Sequence, residues 1–251
     1  MTIQREIDQE INCASCQAKI DLERYLKAHK VCPVCNHHGI MGAEERLNLI
    51  VDAGTFIEHD TELYSVNTLG FPDYETKLDR DTKKTGRPYE LLSGTGQIGK
   101  HNVALSIGDV SFIGGTMGAV AGEKLTRTIE YATKNKLPLI TIAVSGGMRM
   151  QEGTLALMQM QKTAAACTRH SEAGLFYISV ATDPTYGGAT ASFVSLGHIV
   201  IAEPNARIGF AGPRAVASIR ETLPDNFQKS EFLIEHGMID HIVHRHQMKS
   251  F

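Results

Sequence analysis

The sequence predicts an α/β fold in which helices pack over a sheet. Short apolar runs rich in β-branched or aromatic residues, typical of buried strands, occur at 103–108, 110–115, 138–145, 175–181 and 198–204. Amphipathic segments at 123–136 and 154–170 lie between them, and a third helix is expected to begin near Gly188. Strands that alternate with helices in this way are typical of the α/β class.

Length and composition allow one large domain with a small appendage. The chain has 251 residues, of which 42% are hydrophobic. We expect three zones: a cysteine-rich domain at 1–40, a polar and irregular connecting region at 41–100 that leads into the core, and the α/β core at 101–251. The formal net charge of −3 is too weak to attract nucleic acid or an anionic membrane. No apolar run approaches the roughly 18 to 20 residues of a membrane span, and the polar N-terminus is not a signal peptide, so we expect a cytoplasmic protein.

Four of the five cysteines form two tight pairs. Cys13, Cys16, Cys32 and Cys35 follow the spacing C-x2-C-x15-C-x2-C, which is typical of a zinc ribbon. Two such turns supply four thiolates to one tetrahedral site, with no position left for a substrate. The spacing therefore predicts one structural Zn²⁺, with a redox dithiol or an iron site as alternatives.

A zinc ribbon could instead bind nucleic acid. Residues 1–45 hold five Lys or Arg against seven Asp or Glu, whereas a domain that binds the phosphate backbone should carry excess positive charge. Nucleic-acid binding is therefore the less favoured alternative. His37 and His38 are interpreted as solvent-exposed turn residues.

Three pairs of adjacent glycines follow predicted strands, at Gly114–Gly115, Gly146–Gly147 and Gly187–Gly188. Adjacent glycines permit positive φ and let a ligand approach the main chain closely. Main-chain N–H groups left open at such turns can stabilise negative charge on a carbonyl oxygen. The pattern predicts an oxyanion hole built from backbone, although each pair alone could simply permit a tight turn.

No side-chain nucleophile or base is evident near these pairs. Ser145 does not lie in a G-x-S-x-G motif, and no ordered Ser-Asp-His set can be found. The segment 94–101 contains G-x-G-x-x-G but leads into an apolar run, so it is interpreted as a turn between strands. A mechanism that works mainly through backbone amides is the simplest interpretation.

Long segments of the chain resemble a known family. They are "FIGGTMGAVAGEKLTRTIEYA", "SGGMRMQEGTLALMQMQKTAAA", "ISVATDPTYGGATASFVSLGHIVIAEPNARIGFAGPR" and "ETLPDNFQKSEFLIEHGMIDHIVHR". Together with the four-cysteine ribbon, they resemble the β subunits of acetyl-CoA carboxylase carboxyltransferase in their bacterial and plastid form. The resemblance covers residues 11 to 246 and implies a crotonase-like core, in which ββα units form a superhelix.

The resemblance also implies roles for individual residues. Gly187 and Gly188 would supply amides to the thioester oxygen of acetyl-CoA, as the catalytic groups. The substrate-binding residues would be Gly114, Gly115, Gly146, Gly147, Met148, Arg149 and Tyr186. In such enzymes carboxybiotin delivers the carboxyl group and its ureido anion can remove the α-proton, so no protein base is needed.

Implied partners are a carboxyltransferase α subunit in an α2β2 assembly, a biotin carboxyl carrier protein and biotin carboxylase. They would act together in an ATP-dependent complex of fatty-acid biosynthesis. A single crotonase-type unit should be inactive without the α subunit, which would hold the biotin.

Three residues depart from the usual family pattern: Tyr186, Met148 and His198. Ordinary drift between lineages explains them, and a paralogue with a modified pocket, serving secondary metabolism or inhibitor resistance, is the alternative. Two other functions also stay open. One is a different crotonase-type acyl-CoA enzyme, such as a decarboxylase or hydratase, and the other is a zinc-ribbon nucleic-acid-binding protein.

Overall fold

The computed structural model describes residues 10–218 and 222–251, so residues 1–9 of the predicted first zone lie outside it. The first elements are β1 (Glu10–Asn12), β2 (Lys19–Asp21), α1 (Leu22–Lys27), α2 (Ala43–Ile50), β3 (Ile57–Glu58), α3 (Tyr74–Thr85), β4 (Leu91–Ile98) and β5 (His101–Gly108). They are followed by α4 (Ala119–Asn135), β6 (Leu139–Ser145), α5 (Gly153–Glu172), β7 (Tyr177–Tyr186), β8 (Ile199–Ala202), β9 (Ile208–Gly209), α6 (Pro213–Val216), α7 (Ser230–Glu235) and β10 (His241–Ile242).

One eight-stranded sheet organises the chain, in the order β10-β8-β7-β6-β5-β4-β3, with β9 beside β7. The strands β5, β6, β7 and β8 run parallel, whereas β3, β4 and β5 pair antiparallel. Because the central strands are parallel, their carboxyl ends lie along the same edge of the sheet. The loops that follow β5, β6 and β7 are therefore neighbours.

Helices α4 and α5 cover one face of this sheet. The apolar face of α4 buries Leu125, Ile129 and Ala132, as the spacing of these residues predicts, and α5 buries Ala166 and Cys167 in the same cluster. On the other face, Ile50 and Val51 pack near β4, β5 and β6 in a second cluster. The predicted α/β layering is thus present.

Several predicted elements differ from the structure. Residues 110–115 are not a strand, because Ile113, Gly114 and Gly115 all have positive φ and form a 3₁₀ turn. The helix predicted near Gly188 is a series of turns that ends in a 3₁₀ turn at Val194–Leu196. The 41–100 segment is more regular than predicted, since it contains two helices and two strands of the main sheet.

The turn predicted in the segment 94–101 is shorter than expected. Gly94 and Gly96 lie within β4, and only the link around Gly99 forms the turn of the β4–β5 hairpin. At Gly94 a side chain would strike the carbonyl oxygen of Ile57, so this glycine permits close pairing of β3 with β4.

A cluster of buried charged side chains connects the cysteine ribbon to the core. Glu203 accepts hydrogen bonds from Arg46 (Nη1–Oε1 3.0 Å) and from Arg245 (Nε–Oε1 2.8 Å), while Arg245 Nη1 also donates to the carbonyl oxygen of His29 at 2.8 Å. Burial opposes ionisation of Glu203, but the charge of Arg46 and the hydrogen bonds from Arg245 hold its pKa well below the ordinary value. His38 is buried 3.7 Å from Glu203 Oε2, so the prediction that it is solvent-exposed was wrong.

No helix in the described part of the chain is both long enough and apolar enough to cross a lipid bilayer.

Candidate functional site

The three glycine pairs meet at the carboxyl ends of β5, β6 and β7. The Gly146 N–H donates to the carbonyl oxygen of Gly114 at 3.0 Å, which joins the first loop to the second. A methyl group built on Gly187 would lie 3.0 Å from the Cα of Gly147, which joins the second loop to the third. Glycine is needed at these contacts because a side chain would push the loops apart.

The first two loops hold each other through main-chain hydrogen bonds. The Met117 N–H donates to the Gly147 carbonyl oxygen at 2.8 Å, and the Arg149 N–H donates to the Met117 carbonyl oxygen at 2.9 Å. These two bonds flank Met148, whose own N–H lies between them and takes part in neither. Gly147 has φ of +106°, a conformation that a side chain rarely adopts.

The third loop begins where β7 ends at Tyr186. Gly187 has φ of +65°, and its N–H donates to the carbonyl oxygens of Gly209 and Phe210, both at 3.0 Å. Its N–H is therefore occupied, and Gly187 contributes a backbone conformation that turns the chain toward Gly188.

Several main-chain N–H groups on these loops have no hydrogen-bond partner among the described residues, namely those of Gly114, Met148, Gly188, Ala189 and Thr190, and two of them are considered as a pair of donors. Within residues 10–218 and 222–251, neither Gly188 N–H nor Met148 N–H has a hydrogen-bond partner. The Met148 nitrogen lies 3.7 Å from a methyl group built on Gly187, so the two donors come from adjoining loops. Open amides at such a junction attract negative charge on an oxygen atom.

Arg149 is an internal anchor, because its side chain is fully buried. Its guanidinium donates to the Thr116 carbonyl oxygen at 2.6 Å, lies 2.9 Å from Glu90 Oε1 and 3.4 Å from Glu152 Oε1, and lies 3.2 Å from the Tyr74 hydroxyl. Arg149 was predicted to contact substrate, but these partners satisfy the guanidinium inside the protein. It fixes the loop that carries Met148.

The three carboxylates nearest the glycine loops in sequence are engaged with other groups, whereas the buried Oε2 of Glu90 has no hydrogen-bond partner among the described residues. Glu152 accepts hydrogen bonds from the Tyr74 hydroxyl and the Ala119 N–H, both at 2.6 Å, and Asp183 forms a two-bond ion pair with Arg207. Glu123 pairs with Lys162 and Arg127, and these neighbours lower its pKa. Ser145 bonds to the main chain of Gly147. Glu123, Glu152 and Asp183 are therefore held by structural contacts, and none of the three is free to act as a base over the glycine loops.

Two of the residues that depart from the family pattern have structural contacts. Tyr186 is buried, and burial raises the pKa of its phenol, so the phenol stays protonated at neutral pH. His198 accepts the Tyr177 N–H at its Nδ1 (3.1 Å) and lies 3.2 Å from Ser171 Oγ. His198 therefore links the beginning of β7 to the end of α5.

The four paired cysteines meet in the ribbon. The Sγ atoms of Cys13 and Cys35 are 3.7 Å apart, those of Cys16 and Cys32 are 3.8 Å apart, and all four lie within 4.8 Å of one another. The Ser15 and Val34 N–H groups donate to Cys13 and Cys32, respectively, at 3.4 Å. This cluster could hold a metal ion, and it lies away from the three glycine loops.

The sequence did not indicate which residues outside the glycine loops contact and support them. Glu90 and Tyr74 lie in the segment interpreted as irregular, so no periodic signal marked them. Met160, on α5, packs against Gly188. Its place within a helical pattern gave no sign that it would reach a loop after β7.

The family model and the curated relatives that match this chain indicate one family. The family model described as the carboxyl transferase domain matches residues 36–226. Among curated relatives named acetyl-coenzyme A carboxylase carboxyl transferase subunit beta, the protein of Desulforamulus reducens is 49% identical over 95% of this chain and 83% of its own length. The relative from Desulforudis audaxviator is 51% identical over 91% of this chain and 82% of its own length. The relative from Rubrobacter xylanophilus is 48% identical over 94% of this chain and 93% of its own length.

Solved structures agree in fold at lower identity. A transcarboxylase 12S, with methylmalonyl-coenzyme A and methylmalonic acid bound, is 24% identical with a TM-score of 0.72, over 91% of this chain and 43% of that one. A Pseudomonas malonate decarboxylase hetero-dimer is 21% identical with a TM-score of 0.63, over 84% of this chain and 85% of that one. The predicted crotonase-like α/β fold is confirmed. With the long, high-identity matches above, the three convergent glycine loops and the four-cysteine ribbon, the chain belongs to the carboxyl transferase family, among the β subunits of acetyl-CoA carboxylase.

Proposed function

We propose that this chain binds acetyl-CoA and, together with a carboxyltransferase α subunit, transfers a carboxyl group from carboxybiotin to form malonyl-CoA. The observation that carries the proposal is the pair of open N–H groups, on Gly188 and Met148, where the three glycine loops meet. A thioester oxygen that accepts hydrogen bonds from both N–H groups gains negative charge as the acetyl carbon loses its proton. Donors fixed before the reaction stabilise that charge without reorganising, and one such donor is worth about 2.7–4 kcal/mol in the barrier.

The side chains around these donors support a mechanism without a protein base. Glu123, Glu152 and Asp183 are all held by cations or by main-chain and hydroxyl donors. Carboxybiotin, when bound, supplies both the carboxyl group and the ureido group that accepts the proton. The protein's part is then to hold the thioester in place, to orient the acetyl carbon and to stabilise the enolate oxygen.

Each predicted site residue has a distinct part in this proposal. Gly188 and Met148 donate N–H groups, and Gly187 and Gly147 supply the close contact that sets the spacing of the donors. Gly114, Gly115 and Gly146 hold the first loop against the second, and Tyr186 ends the strand. Arg149 fixes the second loop from inside.

The proposed metal in the ribbon is a structural Zn²⁺. Four thiolates around Zn²⁺ with bonds of about 2.3 Å would lie about 3.8 Å apart. The sulfur–sulfur distances of 3.7 and 3.8 Å fit that geometry. Four protein ligands fill the coordination sphere of a tetrahedral zinc, so the metal would hold Cys13, Cys16, Cys32 and Cys35 together and take no part in the transfer.

An exposed apolar surface beside the glycine loops fits the proposed α subunit. Met150 and Phe210 are 74% and 69% exposed, and Leu69, Leu157 and Met158 are also exposed. Leu69 contacts Gly153 at the beginning of α5, and the Phe210 carbonyl oxygen accepts the Gly187 N–H, so these side chains border the site. Exposed apolar side chains grouped beside a site are typical of protein interfaces. An α subunit seated there would close the site and hold the biotin, which the carrier protein brings after biotin carboxylase has loaded it.

The test is reconstitution with a candidate α subunit, followed by carboxyl transfer from malonyl-CoA to biocytin. We expect a stable complex and acetyl-CoA formation that requires both subunits and biocytin. Malonyl-CoA decarboxylation by the β chain alone, without biocytin, would contradict the proposal and favour a decarboxylase.

A further inference from the structure

Two methionine side chains pack against Gly188. A methyl group built on Gly188 would overlap the sulfur of Met148 and would lie 2.7 Å from the sulfur of Met160. Met148 follows β6, whereas Met160 lies near the middle of α5. Two separate elements thus bring a thioether to the same residue.

Neither methionine is a fully buried core residue. Both side chains are half-buried, and Met148 packs at the margin of the cluster formed by the sheet, α4 and α5. Because Gly188 and Met148 also carry the two proposed donor N–H groups, the thioethers lie within one residue's width of the proposed thioester oxygen. The acyl group on that carbonyl carbon would then lie next to the two thioethers.

On the basis of the proposed function, we propose that Met148 and Met160 form the wall that limits the length of the acyl group. The pair selects acetyl-CoA over propionyl-CoA and longer straight-chain thioesters. An acetyl group needs room for one methyl beside the carbonyl carbon, whereas a propionyl group needs room for another methylene at the position of the wall.

The effect that such a wall can have on kcat/KM is limited. One methylene in an apolar pocket typically changes kcat/KM by about 10- to 200-fold. Methionine is unbranched and flexible, so it gives way more easily than a branched side chain. We therefore expect discrimination near the lower end of that range, about tenfold.

The experiment uses the reconstituted complex with the α subunit and compares malonyl-CoA with methylmalonyl-CoA as carboxyl donors to biocytin. Removing the three outer heavy atoms of Met160 in Met160→Ala should raise the ratio of kcat/KM for methylmalonyl-CoA over malonyl-CoA by about tenfold. Met148→Ala keeps the main-chain N–H and should raise the same ratio. The matched control is Met238→Ala, at an exposed turn after α7, which should leave the ratio unchanged.

A second test replaces Met160 with a larger side chain. Met160→Phe should lower the turnover of methylmalonyl-CoA more than that of malonyl-CoA. If malonyl-CoA is turned over normally and the ratio stays within twofold of wild type in Met160→Ala, Met148→Ala and Met160→Phe, the wall is refuted while the proposed function stands. If the wild-type complex turns over neither donor, the proposed function fails first.

Discussion

Substitution of Gly187 tests the contact between the second and third glycine loops. Gly187→Ala places a methyl group at φ of +65° and 3.0 Å from the Cα of Gly147. Carbon atoms in contact prefer about 3.5–4.0 Å, so the loops must separate by about 0.5–1 Å. The open N–H groups of Gly188 and Met148 lie on the two loops that are pushed apart.

The expected loss of activity follows from that separation. A misplacement of about 1 Å in a preorganised site can cost about 100-fold in rate, so we expect kcat of Gly187→Ala to fall by about 10- to 100-fold. The left-handed conformation separately costs about 1–2 kcal/mol of unfolding free energy. The unfolding free energy is measured by urea unfolding of the purified chain. The kcat is measured on the complex with the α subunit, by carboxyl transfer from malonyl-CoA to biocytin.

Gly54→Ala is the matched control. Gly54 has φ of +76°, and a methyl group built there meets no atom within 4 Å. It should lose similar unfolding free energy while it retains full activity. If Gly187→Ala loses no more activity than Gly54→Ala, the two loops do not set the spacing of the donors and the reasoning is refuted.

Three further substitutions probe the ribbon and the buried ion clusters. Cys32→Ser should abolish stoichiometric zinc in the purified chain by elemental analysis, and retention of one zinc per chain would contradict the four-thiolate site. Glu203→Gln leaves Arg46 and Arg245 without a compensating charge and should cost about 3–5 kcal/mol in urea unfolding. Because the folded pKa of Glu203 is depressed, its stabilising contribution is present above the ordinary value of about 4.3 and is lost as pH falls toward the folded pKa. Wild type should therefore lose more unfolding free energy between pH 6 and pH 3 than Glu203→Gln, and equal losses would contradict this. Arg149→Lys keeps the positive charge but loses the planar guanidinium group and its several N–H donors, so the unfolding free energy should fall by about 2 kcal/mol. An unchanged unfolding free energy would show that the guanidinium geometry is not needed.

Elements with a clear period could be predicted from the sequence. The spacing of Leu125, Ile129 and Ala132 predicted the buried face of α4, and the apolar runs predicted β5, β6 and β8 to within two residues at each end. The run for β7 ended too early, because the strand continues to Tyr186. The cysteine spacing gave the ribbon cluster, because two short turns leave few other ways to join four thiols. The glycine pairs predicted tight loops after the strands, and Gly114, Gly115, Gly147 and Gly187 adopt positive φ there, because backbone conformation of this kind is a local property.

What could not be predicted depends on contacts between distant segments. Residues 110–115 have the composition of a strand, but Ile113 adopts φ of +43° because the loop must meet Gly146. The family resemblance implied that Arg149 contacts substrate, whereas its guanidinium is buried against Glu90 and Tyr74, which are far away in sequence. The sequence around Gly187 did not indicate that its own N–H would bond to Gly209 and Phe210, because that bond requires β9 beside β7.

The central claim is that the N–H groups of Gly188 and Met148 hold the thioester oxygen. The most direct measurement is a crystal structure of the αβ complex with a non-hydrolysable acetyl-CoA analogue that keeps the carbonyl group. We expect the carbonyl oxygen about 2.7–3.1 Å from both nitrogens, with the methyl group against Met148 and Met160. A carbonyl oxygen bound elsewhere, with both N–H groups facing solvent or a side chain, would contradict it.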